Sequence, residues 1–517
     1  MSLLLAYLTT LLLAQLAQQW LLAPAIRPGS RPVSLWLLQC AAVSLPYGMV
    51  LLLTTRPILS GIVTLAILAV FVVVNHAKYK ALQEPLLFSD VYLYLQVFSH
   101  PRLFLPFLNI PLTVTAIVLG ATLLYLAVWL EPAQAGWGLW PSIGLLLLLG
   151  ACLSFIRQTT RQISLCFDPA RDVRTLGLVN SLLVYALQAI QPERKRLLYG
   201  RLTILSPFAS PPAHPEPAAL DDVIVIQSES FFDARRLTPA IKPELLHHFD
   251  RIGNQARQQG RLTVPAWGAN TLRPEFAFLS GIDNAQLEHY RFNPYQFLQH
   301  QSTPTLASYL QTLGYRCICI HPNHAAFFKR DRVFPRFGFD EFIDIAGFDA
   351  DQTAGPYISD AAVQEKIAEI LANRPNGRPL FIFAITMENH GPLHLENCTG
   401  QDLGQYYQGI APQAHHDLTV YLRHLQNADQ MLDKLTQTLH ASPRGALLCW
   451  YGDHVPSMPA VYAELGFTDG RSDYLVWHNR DYPRQTTTAC QPHDLSIASL
   501  SPLLTAILTG RGHTSPH

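Results

Sequence analysis

The sequence predicts a two-part molecule: a multi-span α-helical membrane domain, then an α/β domain whose mainly parallel sheet is sandwiched by helices. Three observations carry this expectation. Five apolar stretches crowd the first third of the chain. Beyond Asp221, short β-branched runs alternate with helix-patterned segments to the end of the chain. The side chains able to do chemistry in that second part fall just after the ends of the runs, where open α/β sheets gather their ligands.

Composition sets the outer limits. The chain has 517 residues and formal net charge zero, with 14% charged residues against about 25% in an average soluble domain. The deficit is local: charge almost vanishes between Met1 and Phe155 and is ordinary after Asp221. A neutral balance supplies no electrostatic reason to expect nucleic acid as a partner. Eight cysteines include no CxxC pair, so zinc-ribbon and thioredoxin readings have no support. Cys317 and Cys319 sit at strand spacing and are expected to pack on one face.

The apolar stretches are Leu3–Ala25, Ser34–Thr55, Pro57–Asn75, Ile110–Leu130 and Trp137–Phe155. Each is close to the ~20 residues that cross ~30 Å of hydrocarbon as helix. No basic segment precedes the first and four more follow, so it does not read as a cleaved signal peptide. Residues 1–155 are therefore expected to form a membrane-embedded domain of five helices. Asn75–Lys80 and Pro85–Asp90 suggest a segment lying along the interface. Residues 156–220 read as a juxtamembrane helical connector followed by a Pro-rich linker, Pro207–Pro217, and residues 221–517 as the catalytic domain.

An odd number of spans puts the two termini on opposite sides of the membrane. Arg27, Arg31, Lys78, Lys80, Arg102, Arg157 and Arg161 fall on one side and Arg56 on the other. The positive-inside rule alone would then leave the large second part in the cytoplasm.

In the second part, Asp222–Gln227, Arg316–Ile320, Leu380–Ile385, Ala446–Trp450 and Tyr474–Trp477 read as buried strands. Thr305–Leu313, Asp360–Ala372 and Leu418–Leu439 read as helices. Glu229 arrives directly after the first strand, where a buried carboxylate needs a cation or donors; the alternatives are metal ligation and a structural salt bridge. Asp453-His454 follows another strand and offers a hard oxygen beside an imidazole nitrogen, a pair suited to Mn²⁺ or Zn²⁺ and less to Mg²⁺. Thr271 precedes Pro274, a residue suited to a first helical turn. Its hydroxyl is either an ordinary N-cap or a nucleophile poised where backbone N–H groups favour phosphate. His321, Arg330 and His390 are candidate substrate contacts, since a guanidinium forks onto phosphate oxygens and imidazoles bind phosphate or move protons. His247, His248, His324, His415 and His416 read as surface residues.

Taken in order, these motifs resemble the lipoteichoic acid synthase and phosphoglycerol transferase family, within the alkaline phosphatase superfamily with its sulfatase-like fold. The resemblance rests on the five-span start and the Asn75–Asp90 segment. In the second part it rests on Gln227-Ser228-Glu229-Ser230, Gly268–Gly281, Leu313-Gly314-Tyr315 with His321–Arg330, Asn389-His390-Gly391-Pro392 and Tyr451-Gly452-Asp453-His454. It implies that Glu229, Thr271, Asp453 and His454 coordinate one divalent ion, commonly Mn²⁺ in this family. Thr271 would be the catalytic nucleophile, and His321, Arg330 and His390 would bind the headgroup. Phe328 stands where members often carry Trp. The implied reaction moves glycerophosphate from a phospholipid donor, phosphatidylglycerol, to a glycan or polymer hydroxyl through a phospho-threonine intermediate. The implied location is the bacterial cytoplasmic membrane, with the catalytic domain outside. A phosphoethanolamine transferase acting on a surface glycan or lipid A is the nearest alternative, and a non-catalytic membrane sensor retaining the fold is another. The Cys/Ser-x-Pro-x-Arg signature of a sulfatase nucleophile is absent around Thr271.

Overall fold

Apolar length decides the first unit. In a computed structural model of the chain, which describes residues 3–25, 31–94, 110–134, 137–210, 221–374, 377–481 and 490–509, five helices are long and apolar enough to cross a membrane. These are α1 (Leu3–Trp20), α2 (Val33–Thr54), α3 (Pro57–Leu82), α4 (Ile110–Leu130) and α5 (Leu139–Gln162). They match the five predicted stretches, with ends that move for a physical reason. An apolar run marks hydrocarbon, whereas a helix continues until something caps it. Thus α3 runs past Asn75 until Gln83, at φ 54°, donates its N–H to Tyr79 O.

Asn75–Lys80 is therefore the end of a span rather than a separate interfacial segment. Lys78 lies buried there, its Nζ 2.8 Å from Glu84 Oε2 and 2.6 Å from Asp90 Oδ2. The Pro85–Asp90 stretch folds back onto the same helix, with Leu86 N–H donating to Asn75 Oδ1. Three further helices follow, α6 (Pro169–Leu176), α7 (Leu178–Ala189) and α8 (Pro192–Leu205). Arg27, Arg102 and residues 211–217 of the Pro-rich stretch lie outside the described residues.

The chain divides into two compact units, Met1–Lys195 and Arg196–His517. The second holds an eight-stranded sheet. Its strands are β1 (Asp222–Ser228), β2 (Gln258–Thr263), β3 (Arg316–Ile320), β4 (Glu341–Ile343), β5 (Leu380–Ile385), β6 (Ala446–Gly452), β7 (Ser472–His478) and β8 (Leu495–Ser496). Their spatial order is β8-β2-β7-β6-β1-β5-β3-β4. β1 lies between β5 and β6 and is parallel to both. β7 runs antiparallel to β6 and to β2.

Each central strand feeds two cores, as side chains alternating across a pleat must. Ile224 and Ile226 join the core covered by α9 (Asp360–Ala372) and α10 (His415–Ala441). Val223 and Val225 join the opposite core. Cys317 and Cys319 share that second face, as their spacing predicts. All eight cysteines are free thiols.

Candidate functional site

Because β1, β5 and β6 are parallel neighbours, the residues that follow them emerge at one edge of the sheet. Ser228 pairs in register with Gly452, and Gln227 with Ile385. One step further stand Glu229, Thr386 and Asp453. Glu229, Asp453 and His454 are all buried, and each offers a ligand atom within 4.8 Å of the others. His454 Nε2 is 3.7 Å from Glu229 Oε1 and 3.3 Å from Asp453 Oδ2.

A surrounding layer fixes their aim. Ser230, held at φ 54°, donates its N–H to Asp453 Oδ1 and its hydroxyl to Glu229 Oε1, both at 2.8 Å. Glu229 N–H donates to Thr386 Oγ1 at 3.0 Å. His454 Nδ1 lies 3.1 Å from Val455 O. A carbonyl only accepts, so Nδ1 carries the proton and Nε2 turns a lone pair inward. Gly452 is required just before the pair, since a Cβ there would fall 1.8 Å from Phe231 O.

The donor set fits a divalent cation. Asp453 Oδ2 and His454 Nε2 are buried and have no hydrogen-bond partner. Burial and the neighbouring Asp453 carboxylate, partly offset by His454, push the Glu229 carboxyl up to about 8. Two buried acids and an imidazole lone pair crowded together are costly unless a cation sits among them.

The loop that leads to Thr271 is tied to this edge through its first residue. Gly268 N–H donates to Val455 O at 2.9 Å, which stitches the Gly268–Thr271 loop to the residue after His454. Asn270, at φ 72°, turns the chain into the helix Leu272–Ser280. The Thr271 hydroxyl makes no capping bond, so it is not the ordinary N-cap that sequence alone allowed.

His321 and His390 also arrive after strands. His321 Nδ1 is 3.1 Å from Ile385 O, and burial holds its imidazole well below the ordinary range, so it is neutral. His390 Nδ1 lies 2.6 Å from Gly391 O and 3.2 Å from Tyr357 Oη, and burial lowers it too. His390 senses Asp453, and His321 senses His390 and Arg330.

Arg330 departs from the expected open fork. Its Nε and Nη2 already hold Glu275 at 3.0 and 2.8 Å, and Tyr295 Oη donates to the same carboxylate at 2.7 Å. Both charges are fully buried, and only Nη1 lacks a partner. The Phe328 ring lies 5.1 Å from the guanidinium. Arg330 can thus present one nitrogen to an anion, not two. Glu275→Gln leaves that guanidinium buried without its counter-charge, and the full chain should lose about 3–5 kcal/mol in denaturant unfolding. An unchanged unfolding midpoint would refute the pairing.

Comparison with known proteins decides the family. The sulfatase family model matches residues 221–506, more than half of the chain. The chain belongs to the sulfatase family. That places it in the alkaline phosphatase superfamily, with five helices long and apolar enough to cross a membrane in the same chain.

The capsular polysaccharide biosynthesis protein RkpI of Rhizobium meliloti is 28% identical over 448 residues, covering 81% of this chain and 77% of that one. A second protein of that organism, named for cyclic beta-1,2-glucan modification, is 27% identical over 366 residues; the match spans 67% of this chain and 55% of that protein. The integral membrane protein lipooligosaccharide phosphoethanolamine transferase A from Neisseria meningitidis shares the fold of both units. Its TM-score is 0.54 at 14% identity, over 92% of this chain and 88% of that one.

The same sulfatase-family domain holds a buried network that sequence reasoning missed. His424, buried in the middle of α10, places Nδ1 2.9 Å from Glu388 Oε1 and Nε2 2.8 Å from Glu396 Oε1. Asn427 Nδ2 donates to the same Glu388 oxygen, and Asp360 N–H to the other. Burial pulls the imidazole down, but the two carboxylates more than reverse this and hold it at about 9. A histidine raised in the folded state adds stability below about pH 6.5 and loses it as pH rises through about 9. His424→Gln should therefore cost roughly 2–3 kcal/mol at neutral pH and little above pH ~9. Urea unfolding across that range checks it, and a pH-independent deficit would refute it.

Proposed function

We propose that this chain is a phosphoglycerol transferase that moves glycerophosphate from phosphatidylglycerol to a hydroxyl of a surface glycan or polymer. The observation that carries the reading is the convergence of Glu229, Asp453 and His454 beside the loop that ends in the uncapped Thr271. A membrane unit in the same chain supports a lipid donor, and the polysaccharide named for the RkpI relative supports a glycan acceptor.

In the first step Thr271 Oγ1 bonds to phosphorus, and the bond from phosphorus to the diacylglycerol oxygen breaks. Diacylglycerol leaves with a proton, and glycerophosphoryl-Thr271 remains. The acceptor hydroxyl then bonds to phosphorus, its proton departs, and Thr271 regains its own. Neutral His321 and His390 would accept hydrogen bonds from the glycerol hydroxyls or relay these protons, and Arg330 Nη1 would hold one phosphate oxygen. Glu229, Asp453 and His454, with Thr271, would hold one divalent ion, Mn²⁺ by expectation and Mg²⁺ or Zn²⁺ as alternatives. When bound, such an ion neutralises phosphate charge and acidifies the threonine hydroxyl.

Residues 221–517 are taken as the catalytic domain, on the outer side of the cytoplasmic membrane. That side follows the family resemblance and not the charge tally, which the ion pairing of Lys78 with Glu84 and Asp90 changes by one residue. The shared fold with a phosphoethanolamine transferase keeps an ethanolamine-phosphate headgroup as the second reading.

Membranes containing the full chain, incubated with headgroup-labelled phosphatidylglycerol or phosphatidylethanolamine, separate the two. Label moving from phosphatidylglycerol to the glycan fraction is expected. Transfer from phosphatidylethanolamine alone would replace the reading, and transfer from neither would reject it.

A further inference from the structure

The membrane unit carries a second concentration of polar groups with no assigned role. Gln18, in the last turn of α1, is fully buried, yet neither its Oε1 nor its Nε2 has a hydrogen-bond partner. Arg31, just before α2, has Nε and Nη2 in the same condition. Its Nη1 makes one long contact, 3.4 Å to Gln39 Oε1, and the Gln39 Nε2 is again unpartnered. Near the start of α7, Asn180 Oδ1 and Ser181 Oγ, on buried residues, complete the set.

Gly177 ties these groups to one place. It sits at φ +86°, and a Cβ there would lie 1.9 Å from Arg31 Nη2 and 3.0 Å from Gln18 Oε1. The absent side chain is what leaves the guanidinium room beside the amide. Asn180 Nδ2 donates to Leu35 O and Leu176 O, pinning the start of α7 to the start of α2.

The balance of donors and acceptors calls for an anion. Among the described residues, four nitrogens, two of them on a cation, lack an acceptor, against the amide oxygens of Gln15, Gln18 and Asn180 and the Ser181 hydroxyl. Residues 1–195 contain six acidic side chains, and none serves Arg31. Glu84 and Asp90 hold Lys78. Glu131 accepts from Ile58 and Leu59 N–H. Asp168 caps α6, Asp172 binds Tyr185 and Cys166, and Glu193 is exposed. Burial accordingly lowers the Arg31 guanidinium to about 10, with no counter-charge opposing it.

Location points to the source of that anion. Arg31 lies between the end of one span and the start of the next, the depth of lipid headgroups, and it is only partly buried, which leaves an approach. Trp20 and Trp36 flank it as interfacial aromatics do, and exposed Leu21 and Leu37 offer apolar surface for acyl chains. We propose that Arg31, Gln18 and Gln39, gathered at Gly177, form a binding site for the phosphate of a membrane glycerophospholipid. The site stands independently of the reaction assigned to Thr271.

The test uses the delipidated full chain in detergent, stripped of metal so that the second unit does not contribute, and titrates phosphatidylglycerol under native mass spectrometry. One saturable lipid per chain is expected, weakened about tenfold or more by Arg31→Met and less by Gln18→Leu. Millimolar inorganic phosphate should not displace it. Equal retention by wild type and both variants would overturn the site, and displacement by inorganic phosphate would overturn the lipid source. Gln18→Leu leaves the charge in place, so it remains informative if Arg31→Met does not fold, and Mn²⁺ uptake by the second unit reports folding in each case.

Discussion

Thr271→Ala is expected to lower glycerophosphate transfer at least about a thousandfold while leaving the fold intact. Two observations separate the chemical from the structural effect. The hydroxyl caps no backbone N–H, so removing it leaves no helix end bare. The main chain of Thr271 does the local work, its carbonyl accepting from Glu275 N–H at 3.1 Å, and alanine retains that bond. Thr271→Ser keeps an oxygen on the same Cβ and should keep measurable transfer. Labelled phosphatidylglycerol assays beside thermal melts read both quantities. Normal transfer by Thr271→Ala would remove the proposed mechanism, and a collapsed melt would assign the residue to structure instead.

Loss of the divalent ion should be as damaging, with a definite pH signature. Asp453 Oδ1 is already occupied by Ser230 N–H and His454 N–H, so only Oδ2 is free for a cation. Asp453→Asn keeps the size but substitutes a neutral amide, and should weaken Mn²⁺ binding by about a hundredfold or more. In the metal-free site a proton competes for Glu229, whose carboxyl is raised to about 8 by burial and by Asp453. Above that value the carboxylate is already free to bind. Below it, each unit of pH should weaken apparent Mn²⁺ affinity by up to about tenfold. Chelator competition from about pH 6 to about pH 9 measures the slope. A flat profile, or full affinity in Asp453→Asn, would deny the carboxylates their place around the ion.

The Thr271 and Asp453 experiments address different failures. Intact metal binding with no transfer in wild type would leave a cation site without the reaction, as a sensor would have. Lost binding in Asp453→Asn with transfer retained would instead separate the chemistry from the ion.

Much of the frame was legible before any coordinates. The central strands β1, β3, β5 and β6 are buried on both faces, so each declares itself as an unbroken apolar run. β2 did not, because Gln258–Thr263 is polar and only half-buried, and its strand character comes from pairing with β7 more than two hundred residues away. The spans were legible for the same reason as the central strands, whereas their ends depended on caps such as Gln83.

The site divides along a similar line. Glu229, Asp453 and His454 could be nominated because each directly follows a buried strand, and parallel neighbours must deliver their ends to one edge. The engagement of Arg330 with Glu275 and Tyr295 could not be read, since those partners are 55 and 35 residues distant and share no period with it. The same holds for His424 and its two glutamates, and for Arg31, whose lack of any acidic partner is a property of packing. Apolar periodicity is a local rule, written residue by residue, so sequence determined which segments are buried and where their ends point. Which charges meet depends on elements brought together across hundreds of residues, and only the tertiary structure decided it.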